Sequence, residues 1–91
     1  MEKEEKKAYQ QAKADTMLTW IAIDIVEYYN QGREADAKAS WNELVGAARM
    51  FAVAFEDGEA NPIHRHAFPT LRGVCESYAV DYDNVVNCLR K

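Results

Sequence analysis

A stripe of large apolar side chains between positions 41 and 55 constrains this chain more than any other feature. Its members recur at alternating steps of three and four residues, which places them on one face of an α-helix. They are Trp41, Leu44, Ala48, Phe51 and Phe55, and the face is widened by Val45 and Ala52. Large aromatic and aliphatic side chains are strongly favoured to leave water. The rest of the chain must therefore supply partners that cover this helix.

The segment 2–31 is predicted to form one long helix. Its first turns are rich in Glu, Lys and Gln, which favour helices and place opposite charges at helical spacing. An apolar stripe then follows with members Ala14, Leu18, Ile21, Ile25 and Tyr28. Gly32 follows the last turn, at the position where glycine commonly ends a helix. A short link here indicates an antiparallel pairing with the next helix.

The second helix has two possible starting points. Ser40 and Glu43 fit a capping box, which would begin the helix at Ser40. The residues from Glu34 to Ala39 are themselves strong helix formers, however, so we predict the earlier start, with a helix over 34–57 and Ser40 inside it.

The rest of the chain is predicted to contain a connector and a pair of short helices. The connector covers 58–69, and Pro69 should interrupt any helix that continues through it. The helix pair covers 70–91, with Asp81 as the N-cap of its second helix. No segment alternates apolar and polar residues at period two, so we predict an all-α fold built as a single helical domain over 1–91. The expected core is Leu18, Ile21, Ile25, Trp41, Leu44, Phe51, Phe55, Phe68, Val74, Val80 and Val85.

The charge and composition of the 91 residues narrow the classes of function. The formal net charge of −4 disfavours binding to nucleic acid or to an anionic membrane surface, both of which need a basic protein surface. No apolar run is long enough to span a membrane, and the first residues lack the apolar core of a signal peptide. We therefore expect a cytoplasmic protein whose two cysteines, Cys75 and Cys88, are free thiols.

The predicted first helix carries more apolar surface than one stripe requires. Met17, Trp20 and Ile23 lie partly off the stripe that contains Ile21 and Ile25. They are either further core residues or an exposed patch that serves a partner or a second copy of the chain. If they form an exposed patch, homodimerisation through the first helix is the simplest hypothesis.

Small and apolar residues recur in the segment 70–91 at the spacing of two crossing helices. Cys75 is a small residue in the first helix, Ala79 a small residue in the turn, and Val80 the apolar residue after it. The residues that would face inward from the two helices are Val74, Tyr78, Val85, Cys88 and Leu89. In these positions the segment resembles a helix-turn-helix unit, although two packed helices can also arrive at this pattern without any role in DNA binding.

The resemblance implies that the second helix of the pair reads DNA in the major groove. The candidate contacts on this helix are Asn84, Asn87, Arg90 and Lys91, and Arg72 on the preceding helix is a further one. Asn and Arg are the side chains that read adenine and guanine edges. Asp81 and Asp83 would face the phosphates and repel them, so this segment suits docking on a protein better than on DNA.

The chemistry-bearing residues predict no catalytic or metal site. His64, His66, Cys75 and Cys88 could be considered a zinc set, but their spacing matches no familiar zinc motif. A Cys75–His nucleophile pair would need an oxyanion site, and no glycine-rich turn lies nearby. We expect no cofactor and no enzyme activity, and we interpret the segment 64–66 as an exposed, weakly basic loop.

The leading hypothesis is a small non-enzymatic protein that binds and modulates a macromolecular complex, most simply as an inhibitor. In size, acidity and lack of catalytic motifs the chain resembles small phage-type inhibitors such as anti-CRISPR proteins. Tyrosines and acidic residues suit the contacts of such a protein. The candidate partner-binding residues are Asp24, Glu27, Tyr28, Tyr29, Asp81, Tyr82 and Asp83. The alternative is a dimeric helix-turn-helix regulator that binds DNA.

Overall fold

The structure is a computed structural model that describes the backbone of residues 2–57 and 61–90, and the side chains of residue 10 and of residues 12–57 and 61–90. Over these residues it contains four α-helices and no strand. The helices are α1 (Glu2–Asn30), α2 (Glu34–Phe55), α3 (Phe68–Ser77) and α4 (Tyr82–Arg90), and a π-helical turn, Ile63–Ala67, precedes α3. The predicted all-α fold is confirmed.

A tight turn joins α1 and α2 into an antiparallel hairpin. Gly32 adopts φ = 72°, and its N–H donates to the Tyr29 carbonyl at 3.1 Å. The Arg33 N–H reaches the Tyr28 carbonyl at 2.9 Å, so the turn satisfies two of the last carbonyls of α1. The second helix then begins at Glu34 and contains Ser40, which is buried, as the earlier of the two possible starts predicted. It ends at Phe55, two residues before the predicted end.

The core lies between the hairpin and the C-terminal helices. Every predicted core residue is either buried or half-buried against the core. The buried ones are Leu18, Ile25, Leu44, Phe51, Val74 and Val85, and the half-buried ones are Ile21, Trp41, Phe55, Phe68 and Val80. Alanines such as Ala22 and Ala48 are fully buried among them, because small side chains let the helices approach closely.

The connector is more helical than the sequence predicted. The π-helical turn runs directly into α3, which begins at Phe68, so Pro69 lies in the first turn of α3. The Phe68 N–H donates to the Ile63 carbonyl five residues earlier, which makes this turn wider than an α-helical turn. We attribute the continuity to this wider turn, because Pro69 has no N–H to donate and its ring would crowd the carbonyl four residues earlier in a regular α-helix.

The turn between α3 and α4 repeats the hydrogen bonds of the hairpin turn without a glycine. The Val80 N–H donates to the Cys75 carbonyl at 2.9 Å and the Ala79 N–H to the Glu76 carbonyl at 3.2 Å. Ala79 therefore occupies the left-handed position, with φ = 55°. The predicted N-cap is confirmed, since Oδ1 of Asp81 accepts from the Asn84 N–H at 3.2 Å.

Replacing Ala79 by glycine should stabilise the protein. An alanine in the left-handed region places its Cβ close to the following carbonyl oxygen, and glycine removes this strain. We expect Ala79→Gly to raise the free energy of unfolding by about 0.5–1 kcal/mol. Urea denaturation measures the change. The control is Ala39→Gly at an exposed position inside α2, which should instead lower stability by about 1 kcal/mol. A loss of stability at position 79 would contradict the prediction.

Among the residues described, no helix is both long enough and apolar enough to cross a membrane.

Candidate functional site

An elongated groove runs between the π-helical turn and α3 on one side and α4 on the other. It consists of two adjoining depressions, with cavity volumes of about 360 and 530 Å³, that share the side chains of His64, Phe68 and Tyr82. The other lining residues are Pro69, Arg72, Gly73, Glu76, Asp83, Val86, Asn87 and Arg90. We call this surface the α3–α4 groove. Its size is sufficient to hold several side chains of a ligand.

Packed aromatic rings form the floor of the α3–α4 groove. The Phe68 ring packs against the Trp41 ring of α2 with 4.9 Å between ring centroids. The His64 ring stacks on the Phe68 ring, at 5.4 Å and an angle of 27°. Because His64 belongs to the π-helical turn, the conformation of that turn determines where this imidazole lies in the groove.

Charged side chains of both signs line the α3–α4 groove. The Arg72 guanidinium of α3 lies over the Tyr82 ring of α4, 4.9 Å from its centroid, which is a cation–π contact between the two walls. Arg90 adds a second cation in the wider depression. Glu76 and Asp83 add one carboxylate to each depression. The groove thus combines aromatic faces with charges of both signs.

A pairing connects Glu56, the residue directly after α2, to the π-helical turn that carries His64. The His66 imidazole Nε2 contacts the Glu56 carboxylate, and an NH2 nitrogen of Arg65 lies 3.8 Å from the other carboxylate oxygen. The His66 ring also packs on the Phe51 ring, with 4.8 Å between centroids. The prediction of an exposed segment at 64–66 is therefore wrong for His66, which is half-buried and paired with Glu56. His64 and Arg65 are exposed.

Removing the Glu56 charge should loosen the π-helical turn. The Glu56 and His66 side chains are 21% and 16% exposed, so their contact is partly shielded from water. We expect Glu56→Gln to lower the free energy of unfolding by about 1 kcal/mol. The measurement is chemical denaturation, with Glu43→Gln on the exposed side of α2 as the control. Equal stability of the two variants would show that the pairing does not hold the turn.

A second candidate surface lies on the side of α1 that faces away from the core. Trp20 is 68% exposed and Met17 is 64% exposed. Trp20 borders a shallow depression together with Ile23, Asp24 and Glu27. We call these five residues the Trp20 face. Large apolar side chains exposed together in this way commonly mark an interaction surface.

Four of the seven predicted partner-binding residues lie on the two surfaces, and the other three have roles within the fold. Asp24 and Glu27 belong to the Trp20 face, and Tyr82 and Asp83 to the α3–α4 groove. The others have local roles: Tyr28 is half-buried with the Arg33 guanidinium 4.6 Å from its ring centroid, Tyr29 packs against the core, and Asp81 caps α4.

The residues of the alternative DNA-reading prediction lie at or beside the same groove. Arg72, Asn87 and Arg90 line the α3–α4 groove, and Asn84 is exposed one turn before Asn87. Lys91 lies outside the described residues. The predicted site residues supply five of the eleven side chains that line the groove. His64 and Phe68 were not predicted as groove residues, because only the π-helical turn brings them to α4.

The two cysteines are packed in the interior. Cys75 and Cys88 are both buried free thiols. Burial, and to a lesser extent the negative charge of Asp81, raises the pKa of the Cys75 thiol above its ordinary value, so the thiol stays protonated at neutral pH. Among the side chains that the structure describes, no three His, Cys, Asp or Glu residues are grouped as a metal site would require.

Comparison of the chain with protein-family models, with curated proteins and with solved structures finds no match.

Proposed function

We propose that this chain is a non-enzymatic protein of the cytoplasm that binds a macromolecular complex through the α3–α4 groove and modulates it, most simply by inhibition. The observation that carries the proposal is the groove itself, in which three rings and two arginines converge from the π-helical turn, α3 and α4. Aromatic rings and arginine are the side chains that contribute most energy at protein interfaces.

The shape of the groove suits a short segment of a partner protein. Its two depressions, one lined mainly by α3 and the other mainly by α4, adjoin at their shared rings, so an extended or helical segment can place one side chain in each. The rings of Phe68 and Tyr82 offer apolar contact. The Arg72 guanidinium, already held over Tyr82, can donate hydrogen bonds to a carboxylate with little loss of side-chain freedom. A bound segment with both acidic and apolar side chains fits this surface best.

The carboxylates favour a protein over a nucleic acid as the ligand. Glu76 and Asp83 lie inside the groove, and Asp81 stands at the start of α4. A phosphate backbone would meet these three negative charges where a DNA reader needs cations. The carboxylates can instead pair with lysine or arginine of a partner protein, which supports the protein-binding proposal over the DNA-binding alternative.

Inhibition follows from occupancy in this proposal. A chain that covers a functional surface of its partner lowers the activity of that partner without chemistry of its own. The purified complex should lose activity as the chain is added up to an equal molar amount. A groove variant that does not bind should leave the activity unchanged.

Reversing the charge of Asp83 should abolish capture of the partner. The tagged protein is used to recover partners from lysate with and without nuclease treatment, beside Asp83→Arg and the control Glu43→Arg, which alters an exposed carboxylate on α2 outside the groove. We expect one protein complex in both lysates with the wild-type chain and with the control, and none with Asp83→Arg. Recovery of DNA, or of partners that disappear after nuclease treatment, would instead support the helix-turn-helix regulator.

A further inference from the structure

We propose that a second copy of this chain docks on the Trp20 face, with the two α1 helices antiparallel and related by a two-fold axis at Trp20. This surface shares no lining residue with the α3–α4 groove, so the proposal goes beyond the proposed function.

Apart from Ile23, which is half-buried against the core, the Trp20 face is directed away from the other helices. The residues of α1 that pack in the core include Leu18, Ala22 and Ile25, and helical geometry places Trp20 and Asp24 on the opposite side. The helix has 29 residues, so at about 1.5 Å per residue it is about 43 Å long. Its described side chains from residue 12 to residue 30 cover about 28 Å of that length at the same rise per residue.

The charges on this face are complementary to themselves under a two-fold rotation. Lys13 lies seven residues before Trp20, and Glu27 lies seven residues after it. Each is therefore displaced about 10 Å along the helix from Trp20, in opposite directions. All three, together with Asp24, occur on the same exposed side of α1.

An antiparallel pair centred on Trp20 uses this symmetry. It places Lys13 of each copy beside the partner's Glu27 and the partner's Asp24, and it brings the two indole rings together at the axis. A parallel pair would instead align like charges at the same height. In a two-fold interface every contact occurs twice, so the same two charge contacts form at both ends.

The central apolar residues account for the affinity of the contact, and the charges determine its register. Trp20 and Met17 leave water when the helices meet, and tryptophan is among the residues whose truncation weakens interfaces most. The rim charges exclude the wrong orientation by placing like charges together.

The association can be measured on the full chain by sedimentation velocity, over a concentration series from micromolar to millimolar. The wild-type chain should form a dimer, and Trp20→Ala should weaken it at least about tenfold. Val53→Ala is the matched control, because Val53 is an equally exposed apolar residue on α2, at 67%. It should leave the dimer unchanged. A wild-type chain that remains monomeric up to millimolar concentration would overturn the proposal.

The register is tested by exchanging the charges between two variants. One carries Lys13→Glu, and the other carries Asp24→Lys together with Glu27→Lys. Each variant alone brings like charges together, so it should be monomeric at concentrations where the wild type is dimeric. An equimolar mixture of the two variants restores opposite charges at both ends and should dimerise. Circular dichroism confirms that each variant retains its helices. The antiparallel arrangement would be overturned if either variant alone dimerised with the affinity of the wild type. It would also be overturned if the mixture stayed monomeric.

Discussion

Leu71→Ala is expected to lower the free energy of unfolding by about 2–5 kcal/mol. Leu71 is completely buried and is one of the largest side chains in the interior, where it belongs to the core cluster that joins α3 to the hairpin. Truncation removes its contacts and leaves a cavity that neighbouring helices fill only in part. Since domains of this size are stable by about 5–15 kcal/mol, the loss would be a large fraction of the total.

Urea denaturation followed by circular dichroism measures this loss. Val53→Ala is the control, because it removes a similar apolar group from a position that is 67% exposed and should change stability by no more than about 0.5 kcal/mol. A Leu71→Ala variant as stable as this control would contradict the assignment of α3 to the main core.

Arg72→Glu is expected to weaken binding of the captured partner at least about 30-fold, the change that corresponds to losing a contact of about 2 kcal/mol. The substitution removes the cation that lies over Tyr82 and adds a third carboxylate to a groove that already contains Glu76 and Asp83. Because Arg72 is exposed, the fold itself should lose no more than about 0.5 kcal/mol.

Two further variants separate the charge of Arg72 from its geometry. Arg72→Lys keeps the positive charge but loses the flat guanidinium that stacks on a ring, so its affinity should fall between those of the wild type and Arg72→Glu. Arg49→Glu makes the same charge change on an exposed part of α2 and should bind normally. Titration calorimetry with the purified partner gives all four affinities. Equal affinities of Arg72→Glu and Arg49→Glu would exclude the groove as the binding surface.

The hairpin could be predicted from the sequence because its signals are local. The stripe from Trp41 to Phe55 and the glycine at position 32 each depend on residues within a few turns of one another. The high helix propensity of the segment 34–39 predicted the start of α2 correctly, whereas the capping-box pattern would have placed the start at Ser40. Ser40 is instead buried inside α2.

The candidate site was less predictable because it depends on contacts between distant segments. Nothing near Pro69 in the sequence indicates that a π-helical turn would carry the chain into α3. The pairing of His66 with Glu56 crosses ten residues and joins two elements, so it emerges only from the packing. Exposure of Trp20 was likewise undecided, since its neighbour Ile21 is equally apolar and lies against the core.

Photochemical cross-linking in cells tests the central claim most directly. A photoreactive benzoylphenylalanine is introduced in place of Asn87, which is exposed in the α3–α4 groove, and in a separate chain in place of Val53, which is exposed on α2 outside it. We predict that illumination links position 87 to one protein species and does not link position 53 to that species. Links from position 87 to DNA, or the same protein recovered equally from both positions, would contradict the account.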